Sequence, residues 1–480
     1  MAGWFAGAAR GALGVEPRDA ERLRRYRRFQ DWYDGQQWPS ASGRAGRSSL
    51  TLNYARAIVD KGVAFLLGRG LGFAVLPADE TDPASRERAR RAEQLIYEVY
   101  WDNDLDAIDI QVATNAAVLG DGVYKVFYDA AARRIRVVNV DPFTFSVCWA
   151  GDDPGALTRV EVAYSLEAAE AERLYGRGTE DEGRRTEEER SPSVLRPSSS
   201  VPRSPSSVTV QEQWTAETFQ VSVDQRVVRS GRNPYGFIPF VHVPNMQPPN
   251  QLWGRSDLDG LIEINRELNE RMSDQADVIR YHADPPVIFR GVTEHTDLAV
   301  GPGTVWDIPL DSDVKLLEWQ GQSPSVQEHI ERVMRTLFEV SETPRSAFGD
   351  SGRLLSGVAL EMELRPIIQK TLRRRAFWTR ALRQRNALIL KLAERFEVDG
   401  ARPGDFAPYR TKIVWPPMVP ADDTALVRQN IALVEAGLRS YRGALDALGE
   451  ENPEAELERI RADQAALLRW TEDDGRRTKE

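Results

Sequence analysis

The stretch from Ser256 to Val340 changes hydrophobic period twice, and nothing else in the chain restricts its fold as much. Residues 256–282 carry helical periodicity, with Ser256 placed to cap the first turn. At about 1.5 Å per residue this rod is roughly 40 Å long. Pro285-Pro286 then ends it, since proline lacks an amide N–H and its ring clashes with the preceding turn. Over residues 286–320 the pattern is strand-like, in PVIFRG, GTVWDIP and VKLLEW around a Gly301-Pro302-Gly303 turn. Helical period returns over residues 324–341. Two amphipathic rods therefore bracket a small β-rich piece.

The first rod has two faces. Glu263, Glu267, Glu270, Asp274 and Asp277 follow helical spacing and share one side, while Leu261, Leu268, Met272, Ala276 and Ile279 fall opposite. The plain reading of the acidic stripe is a solvated face. Like charges at i,i+4 cost a few tenths of a kcal/mol per pair, however, and few basic residues separate these in sequence, which argues for a surface meant to be negative. The second rod carries Val326, Ile330, Val333, Leu337 and Val340 as its apolar stripe. Its polar side holds Glu328, Glu331, Arg332, Arg335 and Glu339.

A third, longer helix over residues 356–397 spans roughly 60 Å, with Pro366 expected to kink it. Between Arg365 and Arg385 it holds eight basic residues and no acid; Lys370, Arg373, Arg374, Arg375, Arg380 and Arg383 form the candidate basic band. The band faces either phosphates or an acidic partner, or it is absorbed in ion pairs with the acidic remainder of the protein.

Elsewhere the pattern predicts a basic helix over 17–34, a helix ending at Gly68 and Gly70, and further helix over 84–119. Strands follow through 122–150 and at 157–165, then in VTVQEQWTAETFQVSVDQRVVRS and FIPFVHVP, with a short strand at KIVWPP. Gly120-Asp121-Gly122 reads as a tight turn into a strand. Residues 176–207, charged and then rich in Ser and Pro, have almost nothing to bury and read as a disordered insertion in an α+β domain. Residues 421–447 and 454–470 read as two more helices.

Composition mostly excludes. At 480 residues and 41% hydrophobic, the chain can bury sizeable cores. A net charge of −10 opposes general affinity for nucleic acid, so any DNA contact must come from a local patch or from confinement. No stretch is apolar enough to span a membrane, and the N-terminus lacks the features of a secretory signal. The single Cys148 forms no internal disulfide and fits a reducing compartment. There is no phosphate-binding G-x-x-x-x-G-K-[ST], no G-x-S-x-G, and the four histidines are dispersed without metal-ligand spacing. No catalytic residue, metal site or cofactor is expected, and the chain does not read as an enzyme.

Four segments in order carry a resemblance. NYARAIVDKGVAFLLGRG (53–70), AAVLGDGVYKVFYDAAARRIRVVNVDPFTFSV (116–147), IPFVHVPNMQPPNQLWGRSDLDGLIEINRELNERMSD (238–274) and TPRSAFGDSGRLLSGVALEMEL (343–364) resemble the portal proteins, or head–tail connectors, of tailed double-stranded DNA bacteriophages. The likeness covers most of residues 50–450, and its specificity lies in the order and spacing of the segments. It departs at the 176–207 insertion and the N-terminus.

The resemblance implies an α+β fold, an elongated subunit with an α+β wing, a two-helix stem, a small β-containing clip, a long kinked helix and a helical C-terminal crown. Residues 1–50 would be an N-terminal arm and basic helix, 51–254 the wing, 255–282 stem helix 1, 283–321 the clip and 322–341 stem helix 2. Residues 342–355 would be a tunnel loop, 356–420 the long wing helix and strand, and 421–480 the crown and tail. It implies a self-assembled ring, commonly twelve-fold, at a capsid vertex of the virion, assembled in host cytoplasm. Its partners would be double-stranded DNA in the channel, the major capsid or scaffolding protein, the terminase motor, and a head-completion or adaptor protein at the clip, with no membrane. Phe348, Arg353, Leu354 and Leu355 are the candidate tunnel-facing residues, and the Glu263 to Asp277 stripe the candidate stem surface toward the lumen or a groove near it, or outward toward the capsid vertex. The competing readings are a non-portal oligomeric scaffold and a DNA-packaging enzyme such as a nuclease.

Overall fold

Secondary structure alternates between helix and sheet along the first 416 residues, as an α+β chain should. The structure is a computed structural model describing residues 17–38, 49–68, 70–150, 153–175, 207–283, 287–290, 313–316, 324–350, 357–418, 423–450, 453 and 456–464. Two compact units emerge, Met1–Pro416 and Pro417–Glu480.

In the first unit, α1 (Pro17–Tyr33) buries Arg22, Tyr26, Phe29 and Trp32 and leaves Arg24, Arg25, Arg27 and Arg28 outward. The Asn53 side chain caps α2 (Tyr54–Leu67) by accepting from the Arg56 N–H. Strand β1 (Gly72–Val75) follows; four residues flanked by loop are too few to announce a strand by alternation. The helical run over 84–119 is two helices, α3 (Pro83–Asp102) and α4 (Leu105–Leu119), because Asp104 turns left-handed at φ 50° between them. Gly120, at φ 105°, then ends α4 and admits the chain to β2 (Asp121–Asp129).

Beyond β2 come β3 (Arg134–Asn139), β4 (Phe145–Ala150), β5 (Asp153–Glu167), the short α5 (Ala168–Tyr175), β6 (Ser207–Trp214), β7 (Thr218–Val223), β8 (Arg226–Arg232) and β9 (Phe240–Pro244). They build two antiparallel sheets, ordered β3-β2-β9 and β4-β5-β6-β7-β8. Strands β5 and β6 pair from Val160↔Trp214 to Glu167↔Ser207, so one sheet spans the charged insertion. Ser207, expected in that insertion, instead opens β6, where its alternation with Val208 and Val210 wins; residues 176–206 lie outside the described residues.

Helix α6 (Ile262–Ala283), strands β10 (Val287–Arg290) and β11 (Asp313–Leu316), and α7 (Pro324–Ser341) make the rod–sheet–rod segment. β10 and β11 pair antiparallel; GTVWDIP lies outside the described residues. The long α8 (Gly357–Arg395) follows, with Pro366 inside it, and β12 (Thr411–Val414) pairs with β1.

The main core joins α1 to α4, β2, β3, β9, α8 and β12, with Trp378 and Ile389 of α8 fully buried. A second cluster, including Val123, Phe145, Val160 and Trp214, fills the space between the two sheets. In the C-terminal unit the helical pattern over 421–447 is broken by Gly437 at φ 70° into α9 (Asp423–Glu435) and α10 (Tyr441–Ala447), the latter capped by Ser440. Residues 456–464 are helical. No helix among the described residues is long and apolar enough to cross a membrane.

Candidate functional site

The two rods are rooted where Gly254-Arg255-Ser256-Asp257-Leu258 passes under the end of α4. Ser256 does not cap a helix here. Its hydroxyl donates to the Val118 carbonyl and accepts from the Leu258 N–H, so residues 257–261 turn and α6 begins only at Ile262. Gly254 packs backbone to backbone on Gly120: a Cβ on Gly254 would sit 2.1 Å from the Gly120 carbonyl oxygen, so only glycine fits. Asp257, fully enclosed, accepts from Arg374 Nη1 at 3.2 Å and lies 3.3 Å from Lys370 Nζ, which also donates to the Ser341 carbonyl at the end of α7. One carboxylate thus ties the start of α6 to α8, and one lysine ties α8 to the end of α7. Burial alone would raise the Asp257 pKa; Arg374 first and Lys370 second reverse that and hold it below the usual carboxylate range.

A second buried carboxylate, Asp121, supports the same root. It accepts from the Tyr26 hydroxyl of α1, the Gly254 N–H at 2.8 Å and His242 Nε2 at 2.7 Å. Burial and the adjacent Asp121 push the Tyr26 phenol well above its usual pKa, keeping it a donor.

Above this root, α6 and α7 pack antiparallel. Leu261 and Leu268 meet Ile330, Val333 and Leu337, with Ile58 of α2 beneath. The apolar stripes outrun this contact: Ile279, Val326 and Val340 are exposed. A third face of α6, at i, i+4 and i+8, is polar and buried. Asn265 donates to the Leu52 carbonyl at 3.0 Å and accepts from the Ala55 N–H at 3.1 Å; Asn269 accepts from the Leu52 N–H at 3.0 Å, and Ser273 from the Leu50 N–H at 2.9 Å. Side chains of α6 thereby satisfy backbone groups of residues 50–55, which lie in no strand.

The carboxylate stripe is not bare. Glu263 pairs with Arg266 at 2.6 Å and with Arg28 of α1, Glu267 with Arg271 at 2.7 Å and His329 at 3.1 Å, Asp274 with Arg271 at 3.2 Å, and Asp277 with Arg280 at 2.7 Å. Hydrogen bonds from Arg271 and His329 keep the Glu267 carboxyl below its usual pKa. Glu270 is half-buried and Asp277 buried. The surface expected to be negative is an interleaved, nearly neutral one, because arginines three or four residues away reach the same side of the helix.

Residues 15–467 match the family described as phage portal protein, SPP1 Gp6-like. The chain belongs to that family. No curated protein matches it. In this portal protein the match runs through both multi-stranded sheets, both rods, the β10–β11 pair and α8.

The basic band of the portal chain is not a single face. Arg374 and Lys370 are consumed by Asp257; Arg375 donates to the Leu66 carbonyl at 3.3 Å at the end of α2 and stacks on Trp415; Arg373 pairs with Glu342 at 2.6 Å. Arg380 donates to Gln247 Oε1 at 3.1 Å, and Arg383 is exposed. Consecutive basic residues point 100° apart on a helix, so a run in sequence becomes several environments. Phe348 sits half-exposed in a short 3₁₀ turn, Arg345–Phe348, against Phe338, with Lys61 Nζ 5.6 Å from its ring. Arg353, Leu354 and Leu355 lie outside the described residues.

Sequence reasoning missed Asp257, Asp121, and the fully buried Asp109–Arg385 pair at 2.6 Å, which Tyr124 completes by donating to Asp109. For Asn265, Asn269 and Ser273 a signal existed: three poor helix formers spaced by four inside a helix.

Proposed function

We propose that this portal protein forms a closed ring at a unique capsid vertex, conducts double-stranded DNA during packaging and ejection, and carries the motor and tail attachment. The observation that carries the reading is the family match over residues 15–467, together with two packed rods on either side of a β pair. On this reading residues 51–254 with α8 are the wing, α6 and α7 the stem, 283–321 the clip, 342–355 a tunnel loop and 421–480 the crown. The clip engages a head-completion or adaptor protein, the vertex contacts the major capsid or scaffolding protein, and the terminase motor docks during packaging. The ring belongs to the virion and is assembled in host cytoplasm.

A duplex conduit works best when it touches phosphates without holding them, since each neutralised phosphate adds salt-dependent affinity. The paired α6 surface offers both signs at short range and little net field, which suits sliding. Arg353, Leu354, Leu355 and Phe348 are assigned to the tunnel side. Replacing Arg353 with Ala is expected to lower the yield of packaged particles and leave ring assembly intact; an unchanged yield would count against that role. A null ATPase and nuclease assay beside annular particles in electron micrographs separates this reading from a packaging enzyme, and a ring with no central channel would favour a plain scaffold.

A further inference from the structure

One face of α8 is exposed along much of its length. Met362, Arg365, Leu372, Arg373, Arg380 and Arg383 recur at helical spacing and are all exposed, Met362 at 68% and Leu372 at 54%. From Met362 to Arg383 the ridge runs about 32 Å. Exposed Glu361 and Glu363 flank Met362, Glu342 offsets Arg373 and Arg380 donates to Gln247, but the helix from Arg365 to Arg385 carries no acid in its sequence.

A second surface has the opposite character. Where α3 meets α4, Trp101 is 80% and Ile110 52% exposed, and Asp102, Asp104 and Asp106 are exposed between them. Arg134 also reaches this corner and donates to the Asp102 backbone carbonyl. Large apolar groups set among acids on one surface match Leu372, set among arginines, on the other. Aromatic residues, Met and Arg are the types enriched at protein–protein interfaces.

We propose that the α8 ridge of one copy docks on the α3–α4 corner of a second copy, Met362 and Leu372 covering Trp101 and Ile110 while Arg365, Arg380 and Arg383 face the aspartates. The contact joins two different patches, so it repeats head to tail, as a ring requires. The proposal rests on the ring reading above and assigns its interface.

The test is charge reversal and its repair in the full chain, read by negative-stain particle counts and native mass. R365E/R383E is expected to cut annular particles about tenfold, as is D102R/D104N, in which Asn keeps the left-handed backbone at Asp104. The four substitutions combined in one chain restore rings. W101A/L372A, which removes only exposed apolar groups, also lowers ring yield while the circular dichroism spectrum and melting temperature hold. With wild type forming rings, rings that withstand either double charge substitution overturn the pairing alone, as does a combined variant that stays dissociated. Arginine variants that keep their rings and lose affinity for duplex DNA would assign the ridge to phosphates and overturn it too. A wild-type protein that forms no ring removes the ring reading and the pairing together.

Discussion

Single residues with several partners hold the root of the rods. Asp257 is enclosed with Arg374 and Lys370, and removing one member of such a group leaves charge buried without a counter-ion. Asp257→Asn is expected to cost about 3 kcal/mol, seen as a lower denaturant midpoint with an unchanged slope; a loss near zero would mean that water reaches the pair. Glu212 offers a pH probe. Burial alone would raise its pKa, but Lys125 Nζ at 2.6 Å, helped by hydrogen bonds from Trp214 and Tyr164, brings it below the usual carboxylate range. A depressed folded pKa gives stability that is complete above the unfolded value of about 4.3 and lost as pH falls through the folded one. Unfolding followed from neutral pH into acid should therefore show wild type losing stability below about pH 4, with Glu212→Gln less stable at neutral pH and flatter in acid. Parallel curves would contradict this assignment.

At the scale of elements, the rods depend on a short zone of apolar contact and on the Asn265, Asn269 and Ser273 face. Leu337 is fully buried between α7 and α6, and Leu337→Ala is expected to cost about 2–5 kcal/mol. Asn269→Ala should cost about 1–3 kcal/mol by orphaning the Leu52 N–H, with faster amide exchange confined to residues 50–55 as its signature. What could be read from sequence follows from this layout. Long amphipathic helices and alternating strands were legible because each repeats one signal many times. The break at Asp104, the four-residue β1 and the turn over 257–261 were not, because each is fixed by one backbone conformation or one distant partner. Ser256 shows the competition: its local pattern favours an N-cap, and tertiary bonding to Val118 prevails. The acidic stripe misled for a related reason. Spacing groups the carboxylates and leaves out arginines that bend round from neighbouring positions.

For the whole molecule, the family follows from sequence order and the residue-level chemistry of the site does not. Glycines, an Asp-Pro turn and G-x-S-D-L in series identify a portal chain; in the structure the last of these is a root for two rods. Arginines read together as one band divide between buried fasteners and an exposed ridge, so ring cohesion is expected to combine ion pairs with apolar cover. Raising salt from about 0.1 M to 1 M shortens the screening length from about 10 Å to 3 Å and should loosen rings, and rings unchanged in molar salt would place their cohesion in apolar burial alone. The most direct test of the account is rotationally averaged electron microscopy of the purified full chain. The account predicts annular particles of one fixed symmetry with an open central channel wide enough for a duplex; a protein that stays monomeric at every concentration, or assembles into particles with a filled centre, would contradict it.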